Sequence, residues 1–110
     1  MSRAVRKTQD FLADYENVFA WYVDQADAEV ARRFQKTLDI SLVKLSRLPD
    51  LGRPRHFSHP KLRGLRSFLV EHPFDKLLIF YRANDEVLDA VRLMHGARNL
   101  PLRLLESPEM

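Results

Sequence analysis

The chain has 110 residues, 45% of them hydrophobic and 30% charged, with a formal net charge of +3, so we expect residues 1–110 to form a single globular domain. It has no cysteine, which excludes a disulfide scaffold, a thiolate zinc site and a cysteine nucleophile. No apolar run approaches the roughly 18–20 residues that span a bilayer, and the first residues lack the apolar core of a secretory signal, so we expect a cytoplasmic protein without membrane contact.

The chain begins with a weak strand signal followed by a clear helix signal. Residues 4–7 carry the strand signal, and Thr8 then offers a hydroxyl N-cap for a helix over residues 9–25. Apolar residues at spacings of four, three and four form one face of this helix: Phe11, Tyr15, Val18 and Tyr22. Trp21 lies off the centre of that face, so it is either a flanking core residue or an exposed anchor for a partner.

A second amphipathic helix is predicted over residues 28–48. Asp27 is a good N-cap for it, and Pro49 ends it because proline lacks an amide donor. Its apolar residues recur every three or four positions: Val30, Phe34, Leu38, Leu42, Leu45 and Leu48. Two such helices joined by a few residues form an antiparallel hairpin with one apolar side.

The stretch 49–64 is rich in proline, glycine and basic residues and has no hydrophobic period, so it is predicted to be a loop in which Gly52 supports a turn. It also holds most of the positive charge. Between residues 48 and 66 five basic side chains face one acidic residue, Asp50: Arg53, Arg55, Lys61, Arg63 and Arg66. Such a loop binds phosphates or an acidic partner, or it is simply solvated.

Three short apolar runs follow, and they predict strands near 65–71, 76–83 and 87–95 joined as an antiparallel meander. In the middle run both alternating sets of side chains are apolar, which is typical of a central strand buried on both faces. Arg82 ends that run, either as a rim arginine with its head in water or as a functional residue.

The predicted fold class is therefore α+β, with an N-terminal antiparallel helix hairpin packed on a small antiparallel sheet of three to four strands. The leucines of the C-terminal tail, including Leu100 and Leu102, either pack on the sheet edge or dock with a partner. We expect six residues to be buried in the core: Tyr15, Phe34, Leu38, Leu42, Ile79 and Val91.

Most catalytic signatures are absent from the sequence, including dinucleotide-binding, P-loop, zinc-protease and serine-hydrolase motifs. His56 and His59 are the only histidines close together, and they have no nearby acidic or cysteine partner, so no metal site is expected. The acidic residues are scattered along the presumed helix surfaces, which gives no carboxylate pair for acid–base chemistry, and no cofactor is expected.

Arginines and one histidine cluster near the predicted sheet: Arg63, Arg66, Arg82, Arg92, His95 and Arg98. Four segments around them resemble a known family in order and spacing: LPDLGRPR (48–55), LRGLRSF (62–68), LIFYR (78–82) and HGARN (95–99). They are similar to the segments of ParE-type toxins, within the RelE/ParE superfamily of bacterial toxin–antitoxin modules. Each segment alone is weakly specific, and together they cover nearly the whole chain.

The resemblance implies a helix hairpin on a small antiparallel sheet, and a ParD-like antitoxin whose disordered C-terminal segment folds on the toxin. ParE-type members are associated with inhibition of DNA gyrase, and DNA would be contacted only through the antitoxin. On this interpretation the candidate target-binding residues are Arg63, Arg66, Arg82 and Arg98. The candidate partner-binding residues are Trp21, Leu100 and Leu102.

RelE-type members of the superfamily instead cut messenger RNA on the ribosome, which requires proton transfer and cations that neutralise phosphate charge. In this alternative His95 moves the proton, and Arg63, Arg66 and Arg82 hold the phosphate. The chain lacks the C-terminal tyrosine that RelE-type sites often use, because no tyrosine follows Tyr81, and its HGAR turn fits the ParE pattern. The resemblance therefore favours the gyrase inhibitor over the nuclease.

A third possibility is direct DNA binding through the basic residues between 53 and 66. No recognition helix and no set of stacking aromatic residues accompanies them. The sequence therefore favours this function least.

Overall fold

The computed structural model describes residues 2–96 and 100–108. Over these residues the elements follow in chain order: β1 Ala4–Lys7, α1 Gln9–Gln25, α2 Ala28–Arg47, β2 Arg53–Pro54, β3 Arg66–Leu69, β4 Leu77–Ala83, β5 Val87–His95 and α3 Leu100–Leu105. Two short 3₁₀ turns, Pro49–Leu51 and Pro60–Leu62, flank β2.

Both long helices begin at the predicted N-caps. The Thr8 hydroxyl accepts a hydrogen bond from the Phe11 amide at 3.0 Å, and the Asp27 carboxylate accepts one from the Val30 amide at 2.9 Å. Each bond satisfies an amide that has no partner inside the helix. The predicted bounds of α1 are confirmed, and α2 ends one residue earlier than predicted, before Leu48.

The strands form one sheet in the order β1-β5-β4-β3-β2. The predicted meander of β3, β4 and β5 is antiparallel as expected, and β1 joins it parallel to β5 with Ala4 opposite Val87. The α+β class and the helix hairpin are confirmed. Among the described residues the sheet is mixed and has five strands, whereas three to four antiparallel strands were predicted.

The fifth strand, β2, lies inside the stretch that was predicted to be a loop. Arg53 and Pro54 pair antiparallel with Ser67 and Arg66 at the edge of the sheet. A two-residue edge strand leaves no hydrophobic alternation in the sequence, and proline is tolerated there because an edge amide needs no ladder partner. The loop prediction is therefore wrong for these two residues.

Strand β4 is central and buried on both faces, as predicted. Leu77, Ile79 and Tyr81 point toward α1 and α2, while Leu78 and Phe80 point to the second face of the sheet. The first face makes the larger core, with Phe11, Val18, Phe34, Leu38, Leu42, Leu45, Leu88 and Leu93. The second face packs against the loop residues Leu62 and Leu65, against Met94 of β5 and against Leu104 of α3.

Four of the six predicted core residues are buried: Phe34, Leu38, Leu42 and Ile79. Tyr15 and Val91 are only half-buried, so the prediction is wrong for them. Tyr15 lies at the margin of the core, stacked on Phe34 with ring centroids 5.9 Å apart. Val91 is displaced by a β-bulge, since Phe80 pairs with Arg92 while Tyr81 already pairs with Ala90.

None of the helices in residues 2–96 and 100–108 is long and apolar enough to cross a bilayer.

Candidate functional site

Tyr81 fixes the turn that leads into the basic segment. Its hydroxyl accepts a hydrogen bond from the Gly52 amide at 2.8 Å and donates one to the Pro49 carbonyl at 2.6 Å. A Cβ atom on Gly52 would lie 2.2 Å from the Tyr81 hydroxyl oxygen. Because the Gly52 φ of −72° is open to any residue, glycine is required here for space rather than for conformation.

Arg66 braces the same turn from β3. Its guanidinium donates to the Gly52 carbonyl at 2.8 Å and lies 3.5 Å from the Asp50 carboxylate. Arg66 is opposite Tyr81 in the sheet register, so its side chain starts on the helix-facing side. Arg66 therefore donates its hydrogen bonds to backbone carbonyls of the protein itself.

Arg82 lies on the opposite face of the sheet, in line with Phe80. Its Nε donates to the Arg63 carbonyl at 2.7 Å, and a terminal nitrogen donates to the Lys61 carbonyl. The half-buried guanidinium therefore anchors the loop between β2 and β3 instead of ending in bulk water. This places the exposed Arg63 and Lys61 side chains next to the end of β4.

A row of charges crosses the second face at this end of the sheet. Arg6 of β1 and Arg82 of β4 both lie opposite Asp89 of β5. Arg6 makes a bidentate ion pair with Asp89, at 2.8 and 3.2 Å. A shallow cleft of about 440 Å³ runs along the row and is lined in part by Arg6, Arg82 and Asp89. We call this region, formed by Arg6, Lys61, Arg63, Arg82 and Asp89, the basic end of the sheet.

Arg55 of the basic segment has a structural role that the sequence did not indicate. Its guanidinium lies 5.9 Å from the centroid of the Phe80 ring, and its Nε donates to the Ser67 hydroxyl at 2.8 Å. Burial, and to a lesser degree the neighbouring Arg53 charge, lowers the pKa of Arg55. Arg53 remains exposed.

His95 lies far from the basic end. It is the last residue of β5 and is opposite Leu77, at the other end of β4 from Arg82. Five strand residues at ~3.3 Å each put the two ends about 16 Å apart. The imidazole packs edge-on against Trp21, with ring centroids 5.8 Å apart. Burial, followed by the Arg103 and Lys76 charges, lowers the pKa of His95, which favours the neutral ring.

Arg92 does not join the exposed arginines, because it is buried in an ion pair with Asp14. Its Nε and one terminal nitrogen donate to the two carboxylate oxygens at 2.7 and 3.0 Å. The expectation that the acidic residues are scattered over helix surfaces is wrong for Asp14. The sequence did contain the signal, since Asp14 falls between Phe11 and Val18 on the apolar face of the helix.

The other terminal nitrogen of Arg92 holds the C-terminal helix. It donates to the Glu106 carbonyl at 2.6 Å and to the Leu104 carbonyl at 3.2 Å. Asp14 also accepts a hydrogen bond from the Leu93 amide at 3.0 Å. This one pair therefore ties α1, β5 and the end of α3 together.

The candidate partner-binding residues lie in different environments. Trp21 is 48% exposed and Leu102 is 61% exposed, while Leu100 is half-buried against the second core. Trp21 and His95 line a cleft of about 360 Å³ between α1 and the C-terminal residues 103–108. Arg98, a candidate target-binding residue, lies outside the described residues.

Within residues 2–96 and 100–108 no group of three or more histidine or acidic side chains is placed to hold a metal ion. His56 and His59 are both exposed on the loop.

Comparison with known proteins decides the family. A family model described as "ParE toxin of type II toxin-antitoxin system, parDE" matches residues 5–100. The chain belongs to the ParE toxin family. The resemblance read from the four segments is thus confirmed.

The chain is similar to one curated protein in sequence and to one solved structure in fold. Toxin ParE2 of Mycobacterium tuberculosis is 25% identical over 101 residues, which cover 90% of this chain and 87% of the relative. The solved structure titled "Chromosomal ParDE TA system from P. aeruginosa" has a TM-score of 0.69 at 17% identity, covering 87% of this chain and 98% of that one. At this identity the structure supports the shared fold.

Proposed function

We propose that residues 1–110 form a single cytoplasmic toxin domain that inhibits DNA gyrase by binding it and is neutralised by a ParD-like antitoxin. The toxin class follows from membership of the ParE family. The gyrase target is proposed because ParE-type toxins are associated with it. In this account the protein acts as a binder, without a cofactor, and reaches DNA only through its antitoxin.

The observation that carries the proposal is the distance between His95 and the arginines. Acid–base cleavage of RNA needs a proton-transfer group within hydrogen-bond reach of the reacting oxygen, next to the cations that hold the phosphate. Here His95 of β5 is opposite Leu77, at the start of β4, while Arg82 is near the end of β4. Arg66 and Arg82 are also on opposite faces and both are bonded to backbone carbonyls. This arrangement favours a binding surface over a ribonuclease site.

The basic end supplies such a surface. Arg63 and Lys61 are exposed there, and the loop that carries them is fixed by Arg82. Cations on a fixed loop bind a carboxylate-bearing protein surface with little further loss of backbone entropy, because the backbone that presents them is already ordered. We therefore assign target binding to the basic end, with the exposed Arg63 guanidinium as its leading contact.

The proposal is tested by adding the purified chain to two assays side by side: supercoiling by gyrase, and cleavage of messenger RNA on programmed ribosomes. We expect supercoiling to fall while the message stays intact, and a ParD-like antitoxin to reverse the inhibition. Cleaved message with unaffected supercoiling would assign the chain to the nuclease class. If neither supercoiling nor the message is affected, the chain has neither of the two toxin activities.

A further inference from the structure

A cleft on the side of the molecule away from the basic end has no role in the proposed target binding. It has a volume of about 360 Å³ and lies between α1, the end of β5 and the C-terminal residues 103–108. This volume is at the lower end of the roughly 300–1,000 Å³ that is typical of small-molecule sites. We call it the tryptophan cleft and define it by five of its lining residues: Val18, Trp21, Met94, His95 and Arg103.

The lining of the tryptophan cleft is apolar in one part and aromatic in another. Val18 and Met94 are buried, so they present apolar surface at the base of the cleft. Trp21 is exposed, and its ring packs edge-on against His95 instead of entering the core. An exposed indole next to buried apolar side chains offers a surface on which a planar ligand group packs well.

The polar groups of the cleft have hydrogen-bonding capacity that the protein does not use. Within residues 2–96 and 100–108, no hydrogen bond or ion pair engages the side-chain nitrogens of Trp21, His95 or Arg103. These side chains carry three kinds of donor: an indole N–H, an imidazole N–H and a guanidinium. His95 and Arg103 are also half-buried, which limits their access to water. Donors without a protein acceptor along one cleft favour a ligand that supplies the acceptor.

The charges of the cleft select the charge of the ligand. Asp14 and Arg92 also line the cleft, but they neutralise each other as a buried ion pair. Among the described lining residues Arg103 is the remaining cation, and the exposed Glu106 supplies a solvated carboxylate. A phosphate ester carries about −1.5 to −2 charges at pH 7, which one guanidinium does not balance. A carboxylate, with a single negative charge, matches Arg103.

We propose that the tryptophan cleft binds a small organic monoanion in which a carboxylate is joined to a planar apolar group. The carboxylate accepts charge-assisted hydrogen bonds from the Arg103 guanidinium and a further one from the His95 imidazole. The planar group packs on Trp21 and on the apolar base of the cleft. The cleft is separate from the basic end, so this inference does not depend on the target of the toxin.

Binding at this site is coupled to the docking of the C-terminal helix. Arg103 belongs to α3, which has only six residues. That helix is held to β5 by the hydrogen bonds that Arg92 donates to the Leu104 and Glu106 carbonyls. An anion that contacts both Arg103 and His95 adds a second connection between α3 and β5. Because the site exists only in the folded chain, the ligand should raise the unfolding temperature.

Trp21 provides a direct readout, because it is the single tryptophan of the chain. The probe is phenylacetate, which we expect to change the tryptophan emission of the full chain in a saturable way. Phenylacetamide keeps the ring without the charge, and acetate keeps the charge without the ring. Each should bind at least about tenfold more weakly than phenylacetate. Equal affinity for either compound would overturn the proposal, and tighter binding of phenyl phosphate would overturn the assignment to a monoanion.

Variants of Arg103 then locate the binding. Only the main-chain carbonyl of Arg103 is bonded to Arg92, at 3.4 Å, so changing its side chain should leave the fold intact. Arg103→Gln should weaken phenylacetate by about tenfold or more, and Arg103→Lys, which keeps the charge, should weaken it less. The matched control is Arg33→Gln, which removes an exposed cation from α2 and should change the affinity by less than about twofold. Equal weakening in Arg103→Gln and Arg33→Gln would overturn the proposal.

Thermal unfolding gives an independent measure and reports whether each variant folds. Phenylacetate should raise the unfolding temperature of the wild type and of Arg33→Gln, and this shift should be lost in Arg103→Gln. An equal shift in Arg103→Gln and the wild type would place the ligand elsewhere and overturn the inference. The probe series on the wild-type chain remains decisive even if a variant fails to fold. Neither measurement uses gyrase or an antitoxin, so a negative result leaves the proposed function standing.

Discussion

Asp14 and Arg92 face each other as a buried, bidentate ion pair, with side chains only 8% and 5% exposed. The two residues are far apart in sequence, and their contact joins the first helix to the last strand. Because Arg92 also donates to the Glu106 and Leu104 carbonyls, the pair holds the end of α3 against the body of the domain. Burial of two charges is tolerable only where hydrogen bonds satisfy them, and here they do.

Removing the carboxylate should therefore be costly. We expect Asp14→Ala to lower the free energy of unfolding by about 3–5 kcal/mol, since it leaves the Arg92 charge buried without its partner. Chemical denaturation measures the change. Glu16→Gln, on the exposed side of the same helix, should change stability by less than about 0.5 kcal/mol and serves as the control. Equal small effects would show that the pair is not buried in solution.

The lowered pKa of His95 predicts a pH dependence. Its folded pKa lies below the unfolded value of 6.5, because burial and the nearby cations disfavour the charged ring. Well above pH 6.5 both states hold a neutral imidazole and no stability is lost. As the pH falls below 6.5 the unfolded state takes up the proton first, so stability decreases.

Substituting His95 should remove this component. The difference in unfolding free energy between wild type and His95→Gln should be constant above pH 7 and should shift in favour of the variant between pH 6.5 and more acidic values. Denaturation midpoints at several pH values measure it, and titration of the imidazole by NMR gives the folded pKa directly. A folded pKa above 6.5 would contradict the burial of the ring beside the Arg103 and Lys76 charges.

Removing the Tyr81 hydroxyl should lower the stability of the protein, although the rest of this side chain is apolar and lies in the core. Tyr81→Phe should cost about 1–3 kcal/mol, because the Gly52 amide and the Pro49 carbonyl lose their partner. Tyr22→Phe, which removes a hydroxyl from a ring that is only half-buried, is the control and should be nearly neutral. Urea denaturation of the two variants compares them. Similar losses would mean that the hydroxyl bonds do not fix the turn.

The core between the sheet and the helix hairpin predicts large stability effects at its centre. Leu38→Ala and Ile79→Ala should each lower the unfolding free energy by about 2–5 kcal/mol, because both side chains are fully buried and leave a cavity. Ile40→Ala lies on the same helix as Leu38 but faces solvent, so it should cost little. A denaturation midpoint unchanged by the Leu38 or Ile79 substitution would contradict the placement of the core.

Much of the fold could be predicted from the sequence because the long helices carry several local signals that agree with one another. The Thr8 and Asp27 caps and the apolar spacing of α1 and α2 are local, and tertiary packing agrees with them. The apolar alternation on both sides of β4 identified the central strand. Two-residue β2 and the bulge at Val91 could not be found in this way, because both are set by pairing with distant residues.

The candidate site was less predictable than the fold. Sequence proximity grouped Arg92 and His95 with the other arginines, but strand direction decides which end of the sheet each occupies. Arg92 is buried by its contact with Asp14, and His95 ends its strand at the side away from Arg82. These separations depend on register and on contacts across most of the chain length, which residue spacing alone does not report.

The basic end is expected to act on the target without His95, and one measurement tests this most directly. Gyrase supercoiling is titrated with wild type, Arg63→Glu and His95→Gln, after each variant has been shown to fold. We predict that Arg63→Glu weakens inhibition by about tenfold or more, while His95→Gln inhibits like wild type. Inhibition that is lost in His95→Gln and kept in Arg63→Glu would contradict it.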